Sequence, residues 1–297
     1  MSRATRGWFT AAAVLTFASI VMGAVVCATQ SGASCPNWPG CYGDQFLPNP
    51  AAGLATNPLI EFTHRVIAGV TGPVVLVAAI LGRRLEDPRP RRLAWIGLAG
   101  CLSAGVFGML IVLIGIPWWL GTLDLASALV ATVAMLAARL LLSHPGWAPG
   151  RSARIAWGAV ATLAVMHLSG LAVAGDNSFT RCLGWPLGVL AADRWPVLQG
   201  VRLGLAAVVV ILLVVAVGGL WRRREVRLPA GLAVGLLAAE VVLAAVLLAG
   251  SGGVVLRTVY AVVAAALFGA VALLAVRASL VPTPVPSEQR DPAPQPA

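Results

Sequence analysis

The sequence predicts an all-α membrane protein of eight transmembrane helices, arranged as two pseudo-twofold-related four-helix bundles with both termini in the cytoplasm. Three observations predict it. Of 297 residues, 59% are hydrophobic and only 11% are charged, whereas an average soluble domain is about 25% charged. The apolar residues gather into eight stretches of the length a helix needs to cross a hydrocarbon core about 30 Å thick, with every backbone group bonded inside the segment. A short motif also recurs in two long connections that occupy the same place in each half of the chain.

The stretches run approximately over 8–28, 60–82, 93–115, 119–142, 154–175, 196–220, 229–250 and 253–276. The first is followed by Cys27–Gln30 rather than a small-residue cleavage site, so it is read as a span and not as a signal peptide. All 21 basic residues are arginine. They cluster at Arg3 and Arg6, at Arg83, Arg84, Arg89, Arg91 and Arg92, at Arg151 and Arg154, at Arg222, Arg223, Arg224 and Arg227, and at Arg277. These are alternate connections, and residues 28–60 hold no arginine at all, which orients the chain with its ends inside the cell. The formal charge of +10 therefore reports topology and contact with anionic lipid, and nucleic acid is not an expected partner. The expected division is an N-terminal half over 1–150, a C-terminal half over 151–280, and a proline-rich disordered tail over 281–297.

The connection over 29–59 contains Cys35-Pro36-Asn37-Trp38-Pro39-Gly40-Cys41, and the connection over 176–195 contains Cys182-Leu183-Gly184-Trp185-Pro186-Leu187-Gly188. The shared Cys-x-x-Trp-Pro points to an internal duplication. The alignment extends to His64-Arg65 against Val201-Arg202, and to Asp124 against Tyr260. Glycines such as Gly97, Gly100, Gly105 and Gly108 in the third span permit close helix approach in lipid.

Polar groups inside the spans are the candidates for chemistry. The second span opens with Glu61-Phe62-Thr63-His64-Arg65, and the spacing of three puts Glu61 and His64 on one helical face. A neutral imidazole is a common axial ligand of heme iron, while the same residues also suit an interfacial turn in which Arg65 reaches headgroups and Glu61 reaches water. Asp124 and Glu240 are acids at membrane depth. His167 sits alone on an apolar helix, where packing competes with coordination, and His144 lies in a short connection as ordinary surface. Cys35 and Cys41 can pair or remain thiols. Cys182 lacks a partner in its own motif because Gly188 takes that place, and Cys27 is the other cysteine near the same face. Cys101 reads as a small buried hydrophobe.

Together with Pro117-Trp118-Trp119, the segments Ser34–Gly43, Ile60–Arg65 and Cys182–Pro186 resemble the heme A synthase family, the cytochrome oxidase assembly proteins that convert heme O to heme A. The resemblance implies an oxidoreductase of the bacterial inner membrane that oxidises a heme O methyl group to formyl, with its cysteine-bearing loops outside. It implies Glu61 as the catalytic carboxylate, His64 as a ligand of heme iron, Cys35 and Cys41 as the external disulfide, and Arg65, Asp124, Arg202 and Tyr260 as neighbours of the heme sites. It further implies heme O as substrate, a heme b prosthetic group in the C-terminal half, and heme O synthase and oxidase assembly factors as partners, with a homo-oligomer left open. Three of the four histidines expected of the family are replaced, by Asp124, Val201 and Tyr260. The alternative expectation is accordingly a paralogue that binds heme or assists oxidase assembly without oxidising anything.

Overall fold

The computed structural model describes residues 2–50, 53–115, 117–144, 146–174, 181–186, 195–250 and 252–280. The tail over 281–297 and the motif positions Leu187 and Gly188 lie outside the described residues. Eight helices follow one another: α1 (Arg3–Ala28), α2 (Pro58–Gly82), α3 (Pro88–Ile114), α4 (Trp118–Leu141), α5 (Arg151–Val173), α6 (Pro196–Leu220), α7 (Arg224–Leu248) and α8 (Val254–Ser279). All eight are long and apolar enough to cross a membrane, and the described residues form no named strand, only an isolated bridge between Trp147 and Leu280. The protein is an all-α, multi-pass membrane protein.

Several helices begin earlier than the apolar stretches within them. Ser2 caps α1, Asn57 caps α2 and Asp87 caps α3, each accepting a hydrogen bond from a backbone N–H of the first turn. Hydropathy marks only the part of a helix that lies in hydrocarbon, whereas the backbone ladder continues through an arginine-bearing turn until a cap satisfies its open donors. In α7 the ladder starts at Arg224 and continues through Pro229.

Because eight spans alternate in direction, both chain ends reach one end of the molecule, and the two long connections reach the other, here called the cysteine end. At the terminal end, Arg223 donates to the carbonyls of Ala278 and Leu280, and the Trp157 indole donates to Ser279 Oγ. Helices α1 to α4 form a closed ring, each packing on its neighbours and α4 returning to α1. In the second half α5 packs on α6 and α8, and α7 on α8, but α6 and α7 barely touch. The halves meet where α1 lies against α8 and α4 against α5.

The hydrophobic core is distributed unequally. The largest cluster fills the second half over its whole depth, from Leu183, Trp185, Tyr260 and Ala261 near the cysteine end to Leu220, Val226 and Ala278 near the terminal end. The first half has its own cluster of Phe9, Ala12, Val75, Ala78, Ala79, Ala94, Leu98, Met135 and Ala138, confined to its terminal end. Towards the cysteine end no residue of 62–70, 101–114 or 121–128 is buried.

Close packing of α3 on α4 depends on glycine. A Cβ at Gly100 would stand 2.8 Å from the Ser127 carbonyl oxygen, which is backbone and cannot step aside, whereas a Cβ at Gly105 would meet nothing within 4 Å. Gly100→Ala is expected to destabilise the protein by about 1–3 kcal/mol through overpacking, and Gly105→Ala to leave it unchanged or slightly more stable. Thermal unfolding of the two variants in detergent measures the difference.

Candidate functional site

The first loop is folded onto the start of α2 by one helical turn of charged residues. Asn57 caps the helix and Pro58 occupies its first turn, so Glu61 falls where backbone N–H groups and the helix dipole favour a carboxylate. The carboxylate is 4% exposed and wholly engaged. One oxygen, Oε2, accepts from the Cys35 N–H at 2.9 Å and the Ser34 hydroxyl at 3.2 Å, and the other, Oε1, pairs with Arg65 one turn on. The Arg65 guanidinium then donates to the carbonyls of Cys35, Asn37 and Gly40. Within the loop, a disulfide joins Cys35 to Cys41, Cys41 N–H donates to the Phe46 carbonyl at 3.0 Å, and Gly40 lies so close to Phe46 that a Cβ there would be 3.1 Å from its Cα.

The same device recurs in the second half. Arg202 donates to the carbonyl of Gly184 and to Gln199 Oε1, and Gly184, like Asn37, immediately precedes the tryptophan of the repeated motif. Arg202 also reaches the Met166 carbonyl of α5, and the Tyr260 hydroxyl donates to the Trp185 carbonyl at 3.0 Å. A second disulfide joins Cys27, at the end of α1, to Cys182, and so ties the loop of one half to the first helix of the other.

His64 lies one turn beyond Glu61, and the two side chains have different surroundings. Glu61 is committed to the loop, whereas the imidazole leans on α1, where a Cβ built on Gly23 would be 3.5 Å from Cε1 and 3.9 Å from Nε2. Its Nδ1 is buried without a hydrogen-bond partner. Positions seven, eleven and fourteen residues after His64 are Thr71, Val75 and Ala78, all buried. His64 therefore stands on the interior stripe of α2. Asp124 stands on the corresponding stripe of α4, followed at the same intervals by Ala131, Met135 and Ala138, all buried. The Asp124 carboxylate is half-buried. Between these stripes no residue of 62–70, 101–114 or 121–128 is fully buried, and the buried residues Ile20, Ala24 and Leu129 of this half pack into the cluster of the second half.

In the second half the interior is filled with side chains. In α6 the interior stripe passes through Arg202, Val209, Leu213 and Ala216, all buried, while Val201 is 56% exposed and faces outward. The position aligned with His64 thus points away from the bundle. Tyr260 heads the interior stripe of α8, with Leu267, Val271 and Leu274 below it, all fully buried. His167 is fully buried edge-on to Phe268, with neither ring nitrogen at hydrogen-bond geometry. Glu240 is fully buried beside Tyr260 and the Trp185 backbone.

Of the residues singled out in the sequence, the structure brings Glu61, Arg65, Cys35 and Cys41 together and sets His64 one turn below. It places Arg202 and Tyr260 in the other half, with Gln199, Trp185, His167 and Glu240. Gln199 carries no signal of its own in the sequence, but its spacing of three from Arg202 on a helix would have paired them. Among the described residues, no three His, Cys, Asp or Glu side chains converge as a metal site.

These features define a polytopic helical membrane protein with an interior histidine in a half-bundle that buries few side chains around it, beside a half whose interior is filled. The chain belongs to the COX15-CtaA family, described as cytochrome oxidase assembly protein, whose model matches residues 6–278. It is 30% identical over 123 residues to a heme A synthase of Halalkalibacterium halodurans, a match covering 38% of this chain and 40% of that protein. A heme A synthase of Lysinibacillus sphaericus is 28% identical over 195 residues, covering 60% of this chain and 61% of the relative. One of Roseobacter denitrificans is 30% identical over 140 residues, covering 44% and 36%. Each match spans less than two thirds of the relative's length, from 36% to 61%.

Breaking the Arg65 clamp leaves a buried carboxylate and three loop carbonyls without their donor. Arg65→Ala is expected to cost about 3 kcal/mol, read as a lower unfolding midpoint together with faster proteolysis within residues 31–56. Glu61→Gln keeps an acceptor for the Cys35 N–H and is expected to cost less than Arg65→Ala in the same assay.

Proposed function

We propose that this protein acts in heme A biosynthesis as a heme A synthase-like enzyme, oxidising a methyl group of heme O to formyl in the first half of the molecule. The observation that carries the reading is the buried, unbonded Nδ1 of His64 on the interior stripe of α2, at an end of that half where few side chains are buried, in a chain of this family. A flat, largely apolar macrocycle suits a space between membrane helices that offers apolar walls and a single free imidazole. Gly105 and Gly108, at which a Cβ would meet nothing within 4 Å, keep the α3 wall thin.

In this reading His64 would hold the iron of heme O, and the bound iron would supply activation of an oxidant for the methyl group. Glu61 and Arg65 fasten the cysteine loop over the open end, which excludes water and fixes the carboxylate. Gly23 gives the imidazole room to tilt against α1. Heme O synthase is the expected source of the substrate, and oxidase assembly factors the expected recipients of the product, in a bacterial cell membrane with the cysteine loops outside. The matching stripes and arginine clamps support two pseudo-twofold-related halves.

The second half does not fit a heme b. Its interior line holds Arg202 and Tyr260, both bonded to the loop, Val201 faces outward, and Trp185, His167 and Glu240 fill the remaining depth. No step is assigned to a heme there.

A second reading, a paralogue that holds heme without oxidising it, is favoured by one observation: both oxygens of Glu61 are occupied by loop donors and Arg65. Expression in a bacterium that makes heme O but lacks its own heme A synthase separates the two. Heme A is expected in the extracted hemes, and His64→Ala is expected to reduce it at least tenfold. Heme O bound to the purified protein with no heme A formed would establish the second reading, and heme A that survives His64→Ala would overturn the proposed site.

A further inference from the structure

We propose that the second half positions His64: through the Cys27–Cys182 disulfide it holds the cysteine end of α1 as the wall on which the His64 imidazole rests. The proposal builds on the reading that His64 serves the site of the first half, and it makes that site sensitive to reduction of one particular disulfide.

The tryptophan loops of the two halves are seated differently. Residues 36–39 of the first are all exposed, with Trp38 49% exposed, whereas residues 183–186 of the second are all buried, with Trp185 2% exposed. Helices of the second half take the backbone groups of that buried segment, since the Gly184 carbonyl accepts from Arg202 and the Trp185 carbonyl from the Tyr260 hydroxyl. Leu183 has a φ of 68°, a left-handed conformation that a leucine keeps only where its surroundings over-determine it. Cys182, the residue before it, is therefore a fixed point on the second half, and it is bonded to Cys27.

Cys27 passes that fixity to His64. It lies one turn after Gly23 on α1, and Gly23 is where that helix meets the imidazole, a Cβ there standing 3.5 Å from Cε1. The adjoining face of the same stretch, Ile20 and Ala24, is buried in the core cluster of the second half and not in that of the first. This part of α1 thus has one face on His64 and another on the second half. Helix α1 ends at Ala28, and the last turn of a helix is the first to open because its carbonyls lack intrahelical partners. The disulfide ties down that turn. No hydrogen bond of Nδ1 orients the His64 ring, so packing against α1 does. A dithiol that reduces the bond supplies two electrons and two protons, becomes a disulfide itself and leaves Cys27 and Cys182 as thiols.

Carbethoxylation of histidine by diethyl pyrocarbonate in the purified full chain, read by mass spectrometry, tests this without heme. His144, in the connection between α4 and α5 at the other end of the molecule, is the internal reference. Dithiol treatment, or the double substitution Cys27→Ser with Cys182→Ser, is expected to raise the His64 rate relative to His144 by about threefold or more through local opening. The dithiol is expected to add nothing in the double variant. An unchanged ratio would overturn the proposal, as would an equal rise at both histidines, which marks general loosening. A dithiol effect that persists in the double variant would overturn it too, because it would come from Cys35–Cys41. Where His64→Ala weakens hemin binding, hemin in the double variant is expected to show a displaced ferric absorption band, and a spectrum identical to that of the unaltered protein would count against the positioning role in the same way. If His64→Ala binds hemin as tightly as the unaltered protein, the functional reading fails, while the labelling ratio still decides whether the second half positions His64.

Discussion

A polar side chain turned into a membrane bundle has only the protein, or a ligand, with which to bond. That constraint divides this molecule. In the second half Arg202 and Tyr260 satisfy it by bonding to the returning loop, while His167, with neither ring nitrogen bonded, and Glu240 are buried beside them. In the first half the arginine is again committed to the loop, but His64, one turn on, leans on α1 with its Nδ1 buried and unbonded. The same architecture thus yields one packed half and one half with capacity.

The loop clamps explain why the halves can differ this much and still share a fold. Each clamp is an arginine near the start of a helix that gathers carbonyls from a Cys-x-x-Trp-Pro loop, and it fixes where the loop sits without reference to what fills the bundle below. The Cys35–Cys41 disulfide makes the first loop a closed unit. The Cys27–Cys182 disulfide does something different, because it fastens the second loop to α1 and hence to the half with the open interior. In the first half, Glu61 adds a buried carboxylate to the clamp. Its ion pair in a low-dielectric setting gains strength only because Ser34 and the Cys35 N–H occupy its remaining lone pairs. Any catalytic use of Glu61 is therefore coupled to the position of the loop.

Much of the candidate site was legible in order of residues. The run Glu61 to Arg65 and the paired loop motifs stand out because ionisable groups and cysteines are rare in so apolar a chain. The sequence leaves the partner of Cys182 open, with Cys27 as the other cysteine near the same face, and the structure joins the two. The environment of Glu61 was not legible, since a spacing of three gives a shared face but not which of two side chains a loop will claim. Nor was the cluster around His167, Gln199 and Glu240, which lie on three different helices and acquire meaning only when those helices are packed.

The sequence by itself determined the eight spans, because hydropathy is a local property that survives without coordinates, and its arginine placement and recurring motif supplied the expectation of an orientation and a duplication. Only the tertiary structure decided which side of each helix is inside. Alignment sets Val201 against His64, yet α6 turns Arg202 inward and Val201 outward. One residue is about 100° of rotation in an α-helix, and in a uniformly apolar span nothing along the sequence fixes that angle. It is set by the neighbours that the helix packs against and by the loop carbonyls its arginine must reach.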